Sequence, residues 1–559
     1  MILASMNQTE DPCTDFYEYA CGNWKNTHKI PDEKTKFGNF RILTDKVEMD
    51  VKDILLNATL EEKEPQNATN KAILAYRVCL CETVNETEKF NDLLKLLKEG
   101  GFTEWPLLNK ENSPYRDYTQ LLNKSTFLPF VKFTVFQDAK NIGSNVIYLD
   151  QISFDSVGRN ELINQTTKAS MKIVAAYKKL IQSTAKVFRP NLTDEMAQQL
   201  SEDILRFEAT LAKLSRAKED RRNSSSMHNE MNISTLSQTY PKIEWLKLFN
   251  HVFALANMTL IENERVIVFE PSYIQGIQEI LEKANIDKSS NYGWVLTPKG
   301  HFRFLASLVR NSEISCRSRR GSGTPGPNAK RKMKRCVRSQ ATNFGPFLSE
   351  SSAETTWPRA HLLGDASGIT TLLKKRIASM QRAGKQYRAK QTKERDQLKN
   401  PNDQWFLLRY YLINFYVPPI FLNYSFLNVL HGLNLNSDIQ ELLSLRKPYK
   451  KEDEWYTGAA VVNAFYSPTT NDITFPAGIL QPPFFQDDVP SSINMGAIGM
   501  IIGHEITHGF DDRGDQFDAD GQLRNWWTKQ AQKEFFRRAQ CFIEQYSNVT
   551  VKEVNLTVS

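Results

Sequence analysis

The most informative stretch of the sequence is Gly499-Met-Ile-Ile-Gly-His-Glu-Ile-Thr-His-Gly-Phe-Asp-Asp512. His504 and His508 stand four residues apart, so on a helix both imidazoles lie on one face and can ligate one metal ion. This geometry suits Zn²⁺, and Glu505 is placed to activate a water molecule as general base without being a ligand itself. The stretch therefore predicts a zinc site with His504 and His508 as ligands and Glu505 as the catalytic residue.

The residues around this motif predict one helix from Ile493 to Phe510. Its apolar residues are expected to bury the helix: Ile498, Met500, Ile501, Ile502 and Ile506. Three glycines are expected to let another backbone approach it: Gly496, Gly499 and Gly503. Polar side chains on a buried helix need a partner or a function, because burying them unpaired costs free energy. The alternative to a zinc site is a merely structural histidine pair.

A third protein ligand is required to complete such a site. The metzincin arrangement would need Gly at 511 and His at 514, but the chain has Asp511 and Gly514, which excludes that class. A downstream glutamate is the other common choice, and the candidates are Glu534, Glu544 and Glu553. Glu534 has Lys533, Arg537 and Arg538 as neighbours on an amphipathic helix, which favours a solvated ion pair over metal ligation.

Most of the remaining chain has a helical pattern from about residue 45 to 310. Apolar residues recur at helical spacing over 171–188 before Pro190, and the next helix is expected to begin after Thr193 as N-cap. Short β-type runs at 146–149 and 266–269 interrupt the helices. Towards the other end, 459–466 and 473–475 predict a hairpin with its turn at 467–472, and 528–546 predicts an amphipathic helix.

Composition sets the class of protein. The chain has 559 residues and 40% hydrophobic residues, which favours two or three folded units and excludes wholesale disorder. No apolar run is long enough to span a bilayer, and the nearest candidate, 405–422, contains Arg409 and a Pro-Pro pair.

The net charge of +7 comes from a basic stretch within 313–345, and the other residues sum to −1. A basic fold built to bind nucleic acid is therefore not indicated.

Secretion is indicated by the density of N-x-S/T sequons, which number thirteen. The sequon asparagines predicted to be glycosylated are Asn57, Asn67, Asn85, Asn123, Asn164, Asn191, Asn232 and Asn257. Cysteines in secreted proteins are usually paired, and the odd count of seven means that at least one lacks a partner within the chain. No signal peptide opens the chain, which predicts an N-terminus that has been cut short.

Two groups of motifs, one near each end of the chain, match one known family. The first group is Asp11-Pro-Cys-Thr-Asp-Phe-Tyr-Glu-Tyr-Ala-Cys-Gly-Asn-Trp24, Ile30-Pro31 and Phe37-Gly-Asn-Phe40. The second is Val462-Asn-Ala-Phe-Tyr466, Phe475-Pro-Ala-Gly-Ile-Leu-Gln-Pro-Pro-Phe484 and the stretch 499–512. Together they resemble the neprilysin and endothelin-converting-enzyme family of zinc metallopeptidases, over roughly residues 10–312 and 445–559.

The resemblance implies a mainly α (α+β) fold. The expected protein is a glycosylated, two-lobed helical ectodomain on a single-pass anchor, with a thermolysin-like zinc catalytic lobe that contains a small β-sheet and faces an enclosed cavity. The chain is then divided into an N-terminal ectodomain segment packing on the catalytic lobe (1–44), a helical peptidase N-terminal domain (45–312), an anomalous basic and aromatic region (313–444) and an incomplete catalytic domain (445–559).

The resemblance also implies residue roles. Asn463 and Ala464 would bind the substrate backbone as an added strand, and His504 and His508 would hold one Zn²⁺ per chain. Expected partners are small peptide substrates and no nucleic acid, with a membrane contacted only through an N-terminal anchor absent from this chain; oligomer formation is left open. The expected location is the extracellular face of the plasma membrane, or the secreted fraction.

Some family features have no counterpart in the sequence. The family's third ligand is a glutamate in an E-x-x-x-D helix about sixty residues past the second histidine, whereas this chain ends at Ser559. Cys13, Cys21 and Cys541 match family cysteines whose partners lie in that further region, and Cys79 matches another, for which Cys316 or Cys336 is a candidate partner. We therefore expect a C-terminally truncated member in which 313–444 is mis-spliced.

Two functions follow from the sequence. The first is a zinc-dependent metalloendopeptidase that hydrolyses small extracellular peptides by metal-activated water. The alternative is a catalytically inactive truncated relative that acts as a peptide-binding or interaction protein, because two ligands alone hold zinc poorly.

Overall fold

The structure is a computed structural model of the 559-residue chain. It describes residues 2–31, 34, 36–60, 68–80, 86–99, 130–154, 157–283, 420, 425–449, 457–458, 460–551 and 556–557. The described part is mostly helical with small sheets, which confirms the predicted mainly α (α+β) class.

The helices and strands of the described residues are numbered in chain order. The helices are α1 (Ile2–Ser5), α2 (Phe16–Thr27), α3 (Asn39–Asn57), α4 (Ala68–Leu80), α5 (Glu86–Glu99), α6 (Arg159–Ile163), α7 (Lys168–Phe188), α8 (Asp194–Leu214), α9 (Ser224–Met227), α10 (Ile233–Thr239), α11 (Trp245–Phe253), α12 (Pro271–Lys283), α13 (Phe426–Ser444), α14 (Ser491–Gly496), α15 (Ile498–His508) and α16 (Lys529–Ser547). The strands are β1 (Val131–Gln137), β2 (Asn145–Gln151), β3 (Asn229–Asn232), β4 (Arg265–Val268), β5 (Phe465–Ser467), β6 (Asp472–Thr474), β7 (Thr550–Val551) and β8 (Leu556–Thr557).

Among the described residues there are two large hydrophobic cores, and a four-stranded sheet of order β1-β2-β4-β3 contributes to the first of them. β1 and β2 are antiparallel neighbours, and β2 pairs in parallel with β4, with Ile147 opposite Val266. The two β-type runs predicted from the sequence are therefore confirmed, and they are adjacent strands. Burial explains their composition, because Ile147, Leu149, Val266 and Val268 are all fully buried.

Helices α7 and α8 pack together on this sheet's core, and both confirm the predicted pattern. The side chain of Thr193 accepts a hydrogen bond of 3.2 Å from the backbone N–H of Met196, so Thr193 is the N-cap of α8 as expected. Pro190 follows α7 within two residues of its end. Local capping signals therefore fix where these helices begin and end.

Helix α13 connects the two cores. Its first half contributes Phe426 and Val429 to the second core, and its second half contributes Ile439 and Leu442 to the first. On the same helix, Glu441 accepts a hydrogen bond of 2.9 Å from the backbone N–H of Val135 at the outer edge of β1. The end of the region 313–444 is thus a regular, buried part of the fold.

The second core joins α3 and α4 to the segment that contains the zinc motif. It contains residues from both sides of that contact: Leu43, Val47, Tyr76, Ala464, Ile479, Phe484, Ile498 and Ile501. The ring of Phe40 lies 4.5 Å from that of Phe484, measured between centroids. The N-terminal segment therefore reaches the loop that precedes the motif helix.

Three sequence predictions near the motif need correction. The helix predicted over 493–510 is two helices, α14 and α15, because Ala497 leaves the helical region with φ −103° and ψ −91°. The predicted close backbone approach is also wrong at Gly496 and Gly503, since an added Cβ would have no neighbour within 4 Å at either position. Met500, expected to be buried, is 56% exposed. This face of α14 and α15 is open among the described residues.

The predicted hairpin exists but is shorter than expected. β5 and β6 pair antiparallel with Phe465 opposite Thr474, whereas 460–464 lies outside any strand. The turn requires left-handed backbone at Asn471, with φ 46°, and Asn471 donates a hydrogen bond of 2.9 Å to the carbonyl of Ala519. The tertiary contact with 519–521 therefore fixes the turn.

A charged cluster surrounds Asp138 at the end of β1. Asp138 is fully buried, and its carboxylate contacts His228 Nε2 at 3.2 Å and Arg265 Nη2 at 2.7 Å, while accepting the N–H of Lys140 at 2.9 Å. Burial alone would raise the pKa of Asp138, but these hydrogen bonds outweigh it and hold the pKa well below its usual value.

We expect Asp138→Asn to lower the free energy of unfolding by about 2 kcal/mol, since hydrogen bonds to a buried charge are lost. A carboxylate with a lowered folded pKa stabilises fully above its unfolded pKa, and this stabilisation is lost as the pH falls through the folded pKa. The difference in the free energy of unfolding between the parent and the variant should therefore be constant near neutral pH and should shrink below about pH 4. Urea unfolding at several pH values measures it, and a difference that does not change with pH would contradict the assignment.

The cysteines that the structure describes fall into two groups. Cys79 is disulfide-bonded, whereas Cys13, Cys21 and Cys541 are free thiols. Pairing of the last three thus stays a prediction. The sequon asparagines Asn57, Asn164, Asn191 and Asn257 are exposed, and Asn232 is half-buried as the N-cap of α10.

Several sequence predictions fall outside the described residues: Asn67, Asn85, Asn123, Glu553, the basic stretch within 313–345 and, apart from residue 420, the apolar run 405–422. Among the helices that the structure describes, none combines the length and the apolar character that crossing a membrane requires.

Candidate metal and catalytic site

The motif residues lie in the second half of α15. Ile498 and Ile501 anchor the helix in the second core, and the backbone N–H of Ile498 donates a hydrogen bond of 3.0 Å to the carbonyl of Phe484. His504 is exposed, His508 is half-buried and Glu505 is buried. The helix thus holds both imidazoles towards its surface, whereas the side chain of Glu505 is buried.

The two imidazoles converge as a metal site requires. His504 Nε2 and His508 Nε2 lie 3.1 Å apart, with the ring planes at 83° to each other. Two nitrogens that ligate one tetrahedral Zn²⁺ at ordinary bond lengths are separated by about 3.3 Å. The observed separation therefore fits a shared zinc ion.

Asp511 orients the second imidazole. Its Oδ2 lies 2.8 Å from His508 Nδ1, and its Oδ1 accepts the backbone N–H groups of Arg513 at 2.9 Å and Gly514 at 2.8 Å. The carboxylate has no proton to give, so His508 Nδ1 is the donor and Nε2 keeps the lone pair that a metal needs. Sequence reasoning missed Asp511, although an acid three residues after the second histidine is a readable signal.

Glu505 has an environment suited to a proton acceptor. It is 5% exposed, and burial raises the pKa of its carboxyl group while the two neighbouring histidines oppose that rise. A raised pKa increases the affinity of the carboxylate for a proton. The arrangement can therefore supply a base beside a metal.

No third ligand is found among the described residues, in which no group of three or more His, Cys, Asp or Glu side chains could hold a metal. Glu534 lies on α16 and pairs with Arg537 at 2.8 Å and Arg538 at 2.7 Å, which lowers its pKa to about 2. The interpretation of Glu534 as an ion-pairing residue is confirmed. Glu544 is exposed and accepts a hydrogen bond from Gln540 on the same helix.

The predicted substrate-binding residues lie directly before β5, and this hairpin packs against α15. Asn463 is exposed, whereas Ala464 is buried in the second core. The structure thus places a short non-strand segment, with one side chain outward and one inward, next to the motif helix.

The sequence matches the family model described as Peptidase family M13, in two parts, over residues 12–380 and 463–558. It is 30% identical over 585 residues to neprilysin-11 of Caenorhabditis elegans, a match that covers 100% of this chain and 66% of that protein. It is also 30% identical over 596 residues to human neprilysin, covering 98% and 75%. The chain thus spans about two thirds to three quarters of the length of these relatives.

The fold agrees with these matches. The crystal structure of the Mycobacterium tuberculosis zinc metalloprotease Zmp1 in complex with an inhibitor aligns with a TM-score of 0.71 and 21% identity, covering 99% of this chain and 80% of that one. Together with the family model and the neprilysin match, the two-histidine helix places the chain in a class, the zinc metalloendopeptidases. Within that class, the chain belongs to peptidase family M13.

Proposed function

We propose that this chain provides the zinc-binding helix of a peptidase in which His504 and His508 are metal ligands and Glu505 is the general base. The observation that carries the proposal is the convergence of the two Nε2 atoms at 3.1 Å, with His508 oriented by Asp511. Two histidines paired for structural reasons alone would not need a third side chain that fixes one tautomer.

The residues of the chain have separate tasks in this proposal. A zinc ion held by the two imidazoles would polarise the scissile carbonyl group and make water a stronger nucleophile at neutral pH. Glu505 accepts the proton that the attacking water loses, and its burial keeps bulk water from competing for that proton. Asp511 keeps the His508 ring fixed throughout, so the ligand set does not have to reorganise.

We further propose small extracellular peptides as substrates. Asn463 and Ala464 would bind an extended peptide backbone, since their segment lies outside the β5–β6 pairing and borders the motif helix. Exposed sequon asparagines and a bonded Cys79 support an oxidising, extracellular location. The alternative, a peptide-binding relative without activity, is favoured by the absence of a third ligand among the described residues.

Cleavage of a quenched fluorescent peptide by the purified chain distinguishes these functions. A peptidase is expected to cleave it, to stop on addition of a chelator and to recover with Zn²⁺, whereas His504→Ala should not recover. Binding of the peptide without cleavage at saturating Zn²⁺ would favour the alternative, and cleavage that a chelator does not affect would contradict the zinc mechanism.

A further inference from the structure

The loop that follows the motif helix, residues 511–516, is tied to a segment almost three hundred positions earlier in the chain. This loop contains Asp511 and packs directly on the end of α15, because a Cβ at Gly514 would meet the carbonyl oxygen of His508 at 2.0 Å. The earlier segment, residues 222–225, follows the 3₁₀ turn at 218–220 and includes the first two residues of α9. The contact between loop and segment therefore bears on the position of Asp511.

Gln516 is the centre of this contact. Its Nε2 donates to the carbonyl oxygens of Arg222 and Asp512, both at 2.8 Å. Its Oε1 accepts the N–H of Ser224 at 2.7 Å and that of Ser225 at 3.3 Å. One side chain thus makes four hydrogen bonds to backbone groups of both segments, which uses all of its donor and acceptor capacity.

An ion pair lies beside it. The guanidinium group of Arg222 donates to both carboxylate oxygens of Asp512, one of them at 2.6 Å through Nη2. Hydrogen bonding to Asp512 raises the pKa of Arg222, and the same bond lowers the pKa of Asp512. Both side chains are about half exposed, so a simple attraction would contribute little. The fork geometry and the neighbouring Gln516 make the pair directional.

We infer that Arg222 and Gln516 are positioning residues for the zinc site, because they hold the 511–516 loop in the place where Asp511 orients His508. The inference rests on the proposed function. The path has three steps. Arg222 and Gln516 first fix the backbone of the loop, and the backbone N–H groups of residues 513 and 514 in that loop then fix the Asp511 carboxylate. That carboxylate in turn fixes His508 through Nδ1. A contact from the helical N-terminal part of the chain would thereby set the affinity of the metal site.

The test compares the full chain with Arg222→Ala, Gln516→Ala and the double variant. Zinc affinity is measured by competition with a chromophoric chelator, and amide hydrogen exchange is measured over residues 503–516 in the metal-free protein. The double variant is expected to bind zinc about tenfold more weakly, the lower end of the range seen when a partner of a ligand is removed. Exchange over the loop should become faster in the same variant.

Two controls separate a positioning role from a general loss of stability. Arg446→Ala removes a fork ion pair, between Arg446 and Glu264, whose arginine is about as exposed as Arg222, and it should leave zinc affinity and loop exchange unchanged. The charge exchange Arg222→Asp with Asp512→Arg should restore most of the affinity that either single change loses. The charge-exchanged variant also tests the inference if an alanine variant does not fold.

Each outcome separates the inference from the proposed function. Zinc affinity and loop exchange that are unchanged in the double variant would overturn the inference while the metal site stands. An unsubstituted chain that binds no zinc at His504 and His508 would overturn the proposed function and, with it, the inferred effect of the loop on zinc affinity. The hydrogen-exchange measurement would still show whether Arg222 and Gln516 hold the loop.

Discussion

Replacement of Glu505 by Gln is expected to lower kcat for peptide cleavage by about 10²- to 10⁴-fold, the usual contribution of a general base. The amide has nearly the same shape as the carboxylate, so the buried position is filled as before. It cannot accept a proton from water, so the substitution removes the base while it keeps the shape of the side chain. Initial rates at saturating peptide, with zinc content determined on the same samples, measure the effect.

His504→Ala is the matched comparison for this experiment. It removes a proposed ligand one residue away, so both zinc and turnover should be lost, whereas the Gln variant should lose turnover alone. Activity retained in Glu505→Gln at full zinc content would show that another group accepts the proton, and the assignment of the base would be wrong.

Asp511→Asn is expected to weaken zinc binding by about tenfold or more. In the parent, one carboxylate oxygen faces His508 Nδ1 and the other accepts two backbone N–H groups. An amide has only one acceptor oxygen, so in either orientation its NH₂ group must face a donor. If the NH₂ group faces His508, the tautomer of that ring is no longer fixed. If it faces the backbone N–H groups, the loop that carries residue 511 is no longer held.

Chelator competition measures this change as well, with Asp520→Asn as the control. Asp520 is an exposed carboxylate on the next turn of the chain, and its loss should not affect zinc affinity. Equal affinities for the Asp511 and Asp520 variants would show that the contact with His508 is incidental to metal binding.

Local signals made much of this fold predictable. Thr193 as N-cap, the helical spacing before Pro190 and the short apolar β-type runs of β2 and β4 each act within a few residues, and the structure confirms them. The spacing of His504 and His508 likewise placed both rings on one helical face, because four residues are close to one helical turn.

Long-range contacts explain what the sequence did not reveal. The break at Ala497 has no glycine or proline at its own position, and the N–H of Ile498 that it frees bonds to Phe484 instead. The face of α14 and α15 with Met500 and Gly503 is exposed, and its predicted burial assumed a packing partner that the sequence does not specify. Arg222 and Asp512 are separated by 290 residues, and no periodicity in one sequence links them.

The zinc content of the purified 559-residue chain is the most direct test of the proposed site. After exposure to Zn²⁺ and removal of the excess, the parent is expected to retain one zinc ion per chain, and the variant with both His504→Ala and His508→Ala none. A parent chain without zinc, or a double variant that retains it, would contradict the assignment of these two histidines as the metal ligands.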